Sequence, residues 1–203
     1  NLEIPSKMTN STLVRIETPV GAITVALDGE HTPITTANFL HYIDGGFYTG
    51  GRFHRTVRTD NNSNAGLRIS DTDGGIDPNA DRRQLPNDSI VIEVIQGGVN
   101  PDRIGEQAGP IALERTSETG LRHLDGTISM ARSTPDSAIS DFFICVNDQP
   151  SLDFGGLRNP DGQGFAAFGQ VVEGMDVVRA IQTSPSEGQS LTPPVAIVGI
   201  TRV

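Results

Sequence analysis

Leu13-Val14-Arg15-Ile16-Glu17-Thr18, then Pro19-Val20-Gly21, then Ala22-Ile23-Thr24-Val25-Ala26-Leu27, is the stretch on which the fold turns. Apolar and polar residues alternate on both sides of a turn signal, the period-two pattern of half-buried strands joined as a hairpin. Working outward, Thr32-Pro33 pairs a cap residue with proline at a first helical position. Ala37, Leu40 and Ile43 follow at helical spacing and Gly45 supplies a stop, so the pattern predicts a helix over 33–44. Further strands are expected at 52–57, 90–95, 126–131, 142–146, 166–171 and 195–203, and a second helix at 174–181 with Met175, Val178 and Ile181 inward. Many short strands and two helices, without regular βαβ alternation, favour a closed antiparallel barrel or sandwich over a doubly wound sheet. Two helices suit the two open ends of a barrel. Residues 1–12 are polar and aperiodic and read as an N-terminal arm. Residues 13–203 then form one domain, interrupted at about 58–89 by a polar excursion rich in Asp, Asn, Gly and Ser.

Composition narrows the function. With 23 Gly, 13 Pro and 20% charged residues the chain reads as loop-rich and globular. A formal net charge of -10 repels phosphate backbones, so nucleic acid is not an expected partner. No apolar run approaches the roughly 20 residues of a membrane helix, so no membrane insertion is expected. The single cysteine, Cys145, lies in the apolar run Phe142-Phe143-Ile144-Cys145-Val146 and reads as a buried structural thiol. No nucleophile elbow is present, and His31, His41, His54 and His123 lack metal-ligand spacing. Gly45-Gly46 and Gly50-Gly51 are turn glycines, since no phosphate-loop lysine follows. Asp71, Asp73, Asp77, Asn79 and Asp81 form only a partial match to a calcium loop, and a solvated acidic loop is the expected reading. No metal and no cofactor are expected.

Five ordered segments carry more. They are Phe53-His54-Arg55, Ile95-Gln96-Gly97-Gly98, Gly126-Thr127-Ile128-Ser129-Met130-Ala131-Arg132, Ser140-Asp141-Phe142-Phe143-Ile144, and Phe168-Gly169-Gln170-Val171-Val172-Glu173-Gly174-Met175-Asp176. Together they resemble the cyclophilin family of peptidyl-prolyl isomerases, closest to its bacterial branch, from about Val14 to the C-terminus. The resemblance implies a mainly β fold, a closed eight-stranded antiparallel cyclophilin-like barrel capped by two α-helices. It implies catalysis of cis-trans rotation about X-Pro bonds in polypeptides, in aid of folding. The alternative is a non-catalytic module on the same fold that holds proline peptides. A monomer is expected. The chain starts at Asn1 without a visible signal peptide. With the bacterial likeness, that leans to a periplasmic or exported protein, cytoplasm being the alternative.

By resemblance Arg55 is the electrostatic catalyst, Gln96 positions it, and Phe143, Val94 and Leu152 line the pocket for the proline ring. His54 belongs to the Arg55 motif, and Ala131 and Arg132 match the edge that holds the residues before proline. Strand alternation puts Asp141 with Phe143 on one face, Phe142 on the other, and Val94 with Gln96 together. Departures stand beside these matches. Glu93 replaces the pocket phenylalanine and, in a regular strand, faces away from Gln96. Asp141 replaces a glutamine and is expected to pair with Arg55. Arg132 replaces an asparagine, Phe165 falls where the family has a site histidine, and Phe154–Gly164 reads as an insertion. Ser151 stands where cyclosporin-sensitive members have tryptophan, so weak or absent cyclosporin binding is expected.

Overall fold

The structure, a computed structural model, describes residues 11–62 and 90–203. Most of the excursion, with its partial calcium match, and nearly all of the predicted arm therefore lie outside the described residues. The hairpin forms as its alternation requires: β1 (Thr12–Thr18) and β2 (Gly21–Leu27) pair antiparallel, Thr18 opposite Gly21. Then follow α1 (Pro33–Asp44), β3 (Gly51–Val57), β4 (Val94–Gly98), α2 (Thr116–Thr119), β5 (Thr127–Met130) and β6 (Phe142–Cys145). The chain finishes with β7 (Ala167–Glu173), α3 (Met175–Gln182), β8 (Ser186–Glu187), β9 (Ser190–Ile197) and β10 (Gly199–Arg202). Every described strand pairing is antiparallel, in the order β10-β1-β2-β7-β5-β6-β4-β3-β9-β8.

Among the described residues the sheet thus has ten strands where eight are expected. The predicted strand 195–203 breaks at Val198, which is 60% exposed. Up to that point β9 pairs with β3, and beyond it β10 pairs with β1. One extended segment thus changes partner there, from β3 to β1. The predicted strand 90–95 starts only at Val94, and among the described residues no strand lies beside 90–92. A one-turn helix, α2, joins the two predicted helices.

The helix at 33–44 has the predicted bounds but a different cap. The Thr32 side chain accepts from no backbone N–H of the first turn; its hydroxyl donates to the Asp28 carbonyl at 2.6 Å and lies 3.1 Å from the Thr36 hydroxyl. Glu114 accepts from the Thr35 N–H at 2.7 Å and the Thr35 hydroxyl at 2.6 Å. A carboxylate there satisfies an open donor and meets the positive end of the helix dipole. The α3 helix starts after Gly174, at φ 97°, where a Cβ would lie 2.4 Å from the Ala22 carbonyl oxygen, so only glycine fits.

Two apolar clusters follow. The main core holds Phe39, Tyr48, Phe53, Phe142 and Phe168 among the inward faces of the sheet. Phe142 meets Phe39, Tyr48 and Phe53 edge-on at 5.4, 5.6 and 5.7 Å between ring centroids. The second cluster, Val57, Ile92, Val94, Phe143, Cys145 and Leu152, lies on the opposite face of β3, β4 and β6. Cys145 is buried as expected, but in this outer cluster, and burial pushes its thiol well above the ordinary range. Among the described residues no helix is long and apolar enough to cross a membrane.

Candidate active site

Regular alternation would put Arg55 on the same face as Phe53, inside the core. A bulge prevents it. Phe53 lies opposite Gly97 but Arg55 lies opposite Gln96, so His54 is an extra residue on β3. Phe53 stays buried while both His54 and Arg55 turn outward, and Arg55 lands beside Gln96. Gln96 in turn lies opposite Phe143, and Phe143 opposite Ser129. Arg55, Gln96 and Phe143 therefore form a row across β3, β4 and β6.

Hydrogen bonds set the Arg55 guanidinium in place. Nη1 donates to Gln96 Oε1 at 3.0 Å and Nε donates to Gln189 Oε1 at 2.9 Å. Gln96 then turns its Nε2 to Asp141 Oδ2 at 3.0 Å, and His54 Nε2 lies 3.0 Å from the same oxygen. The carboxylate reaches Arg55 through the Gln96 amide, not by the direct pair expected from the sequence. The reason is register: Asp141 projects over Gly98, where a Cβ would lie 2.4 Å from Oδ1, one step beyond Gln96. Asp141→Ala is expected to lower kcat/KM about fivefold, because the exposed amide anchor is worth about 1 kcal/mol. Asp141→Asn keeps one acceptor and should fall between; unchanged kinetics in a peptide exchange assay would rule the coupling out.

A pocket of about 340 Å3 opens beside this row, lined by Arg55, Val94, Gln96, Phe143, Leu152 and Phe165 among others. Ala131 and Arg132 also reach it. Eight of the expected site residues are thus brought together. His54 and Asp141 are not in that wall; they border a second groove with Arg52, Gly98, Gln107 and Leu191. The Arg132 guanidinium is committed elsewhere. It forks onto Asp161 at 2.8 and 3.0 Å and covers the Phe165 ring at 4.7 Å, tying down the 154–164 loop. Burial alone would raise the Asp161 carboxyl, yet the bonds from Arg132 and the Gln163 N–H hold it below the ordinary value.

Glu93 faces away from the pocket, as alternation predicts, and accepts from Asn147 Nδ2 at 2.9 Å. The pocket is also lined by Ile92, Arg158 and Asn159, which the sequence pattern did not single out. Alternation back from Val94 could have pointed to Ile92. No local signal marks Arg158, Asn159 or Gln189.

His123 was also unassigned. It is 1% exposed and stacks on Phe143, centroids 6.0 Å apart and planes within 15°. Its Nδ1 is 2.7 Å from Asp153 Oδ1 and its Nε2 is 2.8 Å from Ser129 Oγ. The carboxylate only accepts, which assigns the proton to Nδ1 and makes the Ser129 hydroxyl the donor to Nε2. Ser129 is fully buried, so this Ser-His-Asp set braces Phe143 and does not reach a substrate. Burial lowers the His123 pKa, outweighing the Asp153 bond and charge that raise it. The unfolded imidazole takes up its proton near about pH 6.5, while the folded one resists. Stability is therefore complete above that pH and lost as pH falls below it. Tm should drop between about pH 7 and 5, and His123→Gln should flatten that slope.

The comparisons with known proteins agree with this geometry. The family model of cyclophilin type peptidyl-prolyl cis-trans isomerases matches residues 13–202. Peptidyl-prolyl cis-trans isomerase A of Dickeya dadantii is 34% identical over 180 residues, 88% of this chain and 75% of that protein. Peptidyl-prolyl cis-trans isomerase B of Escherichia coli is 30% identical over 171 residues, 84% of each chain. In fold, the chain is similar to a crystal structure of a cyclophilin type isomerase from Cryptosporidium parvum, with TM-score 0.66 and 20% identity, covering 95% of this chain and 98% of that one. That parasite enzyme was also crystallised in the presence of the dipeptide Ala-Pro. With nearly all of its length matched by the family model, this chain belongs to the cyclophilin-type peptidyl-prolyl cis-trans isomerases.

Proposed function

We propose that this protein catalyses cis-trans rotation about X-Pro bonds in polypeptide substrates, with Arg55 as the catalytic residue and Gln96 and Phe143 beside it. One observation carries the reading: a guanidinium held from two sides by neutral amides at the rim of a pocket floored by Phe143 and walled on one side by Val94, Leu152 and Phe165. The chemistry needs no cofactor and no covalent step. Amide resonance sets a barrier of about 18–20 kcal/mol. At the twisted state the prolyl nitrogen regains its lone pair, and a catalyst must favour that state over both planar ones. A planar cation with several N–H groups can hold the substrate carbonyl and donate toward that nitrogen as conjugation is lost. Val94, Leu152, Phe143 and Phe165 bury the ring, so the bond turns about a fixed end. Ala131 and the Arg132 main chain hold the residues before proline, and His54 with Asp141 border their path.

Several narrower statements belong to the same proposal. Residues 13–203 act as one isomerase domain. The sheet closes as a barrel, since β9 runs into β10 through Val198 alone, whose N–H bonds the Glu17 carbonyl at 2.8 Å. The protein works as a monomer in the periplasm or outside a bacterium, and it binds cyclosporin poorly because Ser151 offers no indole. The test is exchange spectroscopy on a short Ala-Pro peptide. Cis-trans exchange accelerated by catalytic amounts of protein supports the proposal. Binding without acceleration would instead leave a proline-peptide holding module, the reading favoured by the carboxylate at Asp141.

A further inference from the structure

Residues 90–92 lead into β4 with no strand beside them among the described residues, yet Ile92 forms part of the pocket wall. A wall residue on an unpaired segment would wander unless its main chain were held. Two side chains do this. Asn62 Oδ1 accepts from the Ile92 N–H and Asn62 Nδ2 donates to the Ile92 carbonyl, each at 3.4 Å, so one amide imitates a neighbouring strand. Asn62 Nδ2 also donates to the Arg58 carbonyl. Arg158, 4% exposed, reaches in from the 153–164 loop. Its Nη1 donates to Asn62 Oδ1 at 3.1 Å and to the Ile90 carbonyl at 2.6 Å. Its own N–H bonds the Ser151 carbonyl at 3.2 Å, next to the pocket residue Leu152.

We infer that Asn62 and Arg158 are positioning residues which, through the Ile92 main chain, set the pocket wall and thereby which imino-acid ring the pocket accepts. The inference deepens the proposed function and rests on that reading of the pocket. The clamp joins three pieces of chain distant in sequence: the β3 exit at 58–62, the β4 entry at 90–92, and the loop carrying Leu152. A buried guanidinium suits the task, because its donors point in fixed directions and one group can serve two acceptors at once. Arg55 and Gln96 are held by other partners, so the chemistry at the rotating bond is separable from the shape of the ring pocket.

The experiment measures Kd for three peptides that differ only in the ring: proline, the four-membered azetidine analogue and the six-membered pipecolyl analogue. Wild type, Arg158→Met, Arg158→Lys and Asn62→Ala are compared, with Arg202→Met as a control that loses an exposed ion pair to Asp44. Arg158→Met should weaken the proline peptide about tenfold, the size expected for losing bonds from one charged group. The preference for proline over the other rings should shrink with it. Arg158→Lys, whose donors all sit on one nitrogen, should fall between, and the control should match wild type. At saturating peptide, kcat should stay within about twofold, because the Arg55 contacts are intact. Unchanged Kd and ring preference in Arg158→Met overturn the inference. If that variant does not fold, Asn62→Ala decides in the same way. Failure of wild type to accelerate exchange would sink the isomerase reading alone, since the binding comparison stands without turnover.

Discussion

Arg55→Ala is expected to lower kcat/KM for an Ala-Pro peptide by about 100- to 1000-fold, the loss typical when an oriented donor is removed from developing charge. The loss should fall on kcat. In the proposed mode Phe143, Val94 and Leu152 grip the proline ring, and the substitution leaves them in place, so Kd should move little. Arg55→Lys separates charge from geometry. Lysine keeps the cation but cannot serve Gln96 and Gln189 from two sides of a plane, so it should recover only part of the rate. The bulge at His54 keeps Arg55 out of the main core, and neither variant should lower Tm by more than a few degrees. Wild-type turnover by Arg55→Ala would remove Arg55 from the mechanism.

Phe142→Ala and Phe143→Ala should fail in different ways although they are neighbours. Phe142 is fully buried among Phe39, Tyr48 and Phe53. Its removal leaves a hole among the core's aromatic rings and should cost about 3–5 kcal/mol. For a domain of this size, that lowers Tm by about 6–20 °C. Phe143 lies on the other face, between His123 and Phe165, and floors the pocket. Phe143→Ala should weaken binding of a proline peptide about tenfold, the value of one aromatic contact of about 1.5 kcal/mol. Urea melts and peptide titrations on the two variants give the comparison. Equal loss of binding in both, with equal stability, would show that the two faces are misassigned.

Much of this was legible before any coordinates. The hairpin 13–27 and the helix 33–44 stand where periodicity and turn residues place them. The opposite faces of Phe142 and Phe143, and the shared face of Val94 and Gln96, follow from strand alternation alone. Eight of the ten candidate site residues meet at one pocket. The same rule fails at Arg55: its outward position depends on one extra residue in β3, and a bulge leaves no mark in composition. It fails again at 195–203, where an unbroken pattern conceals a change of partner at Val198.

The sequence by itself determined the elements and their faces, since these depend on residues two to four apart, whose periodicity and turn chemistry act locally. The resemblance of five ordered segments added the family and singled out Arg55, Gln96 and Phe143 as the residues to propose for the site. Only the tertiary structure decided the partners. Glu114 caps the first helix in place of Thr32, Gln189 holds the second edge of Arg55, and Gln96 stands between Asp141 and Arg55. Arg158 and Asn62 bond each other and the main chain at Ile90 and Ile92. Each of these contacts joins residues dozens of positions apart. A polar side chain takes whichever complementary group the sheet register and loop paths bring within about 3 Å, and no local pattern encodes that meeting.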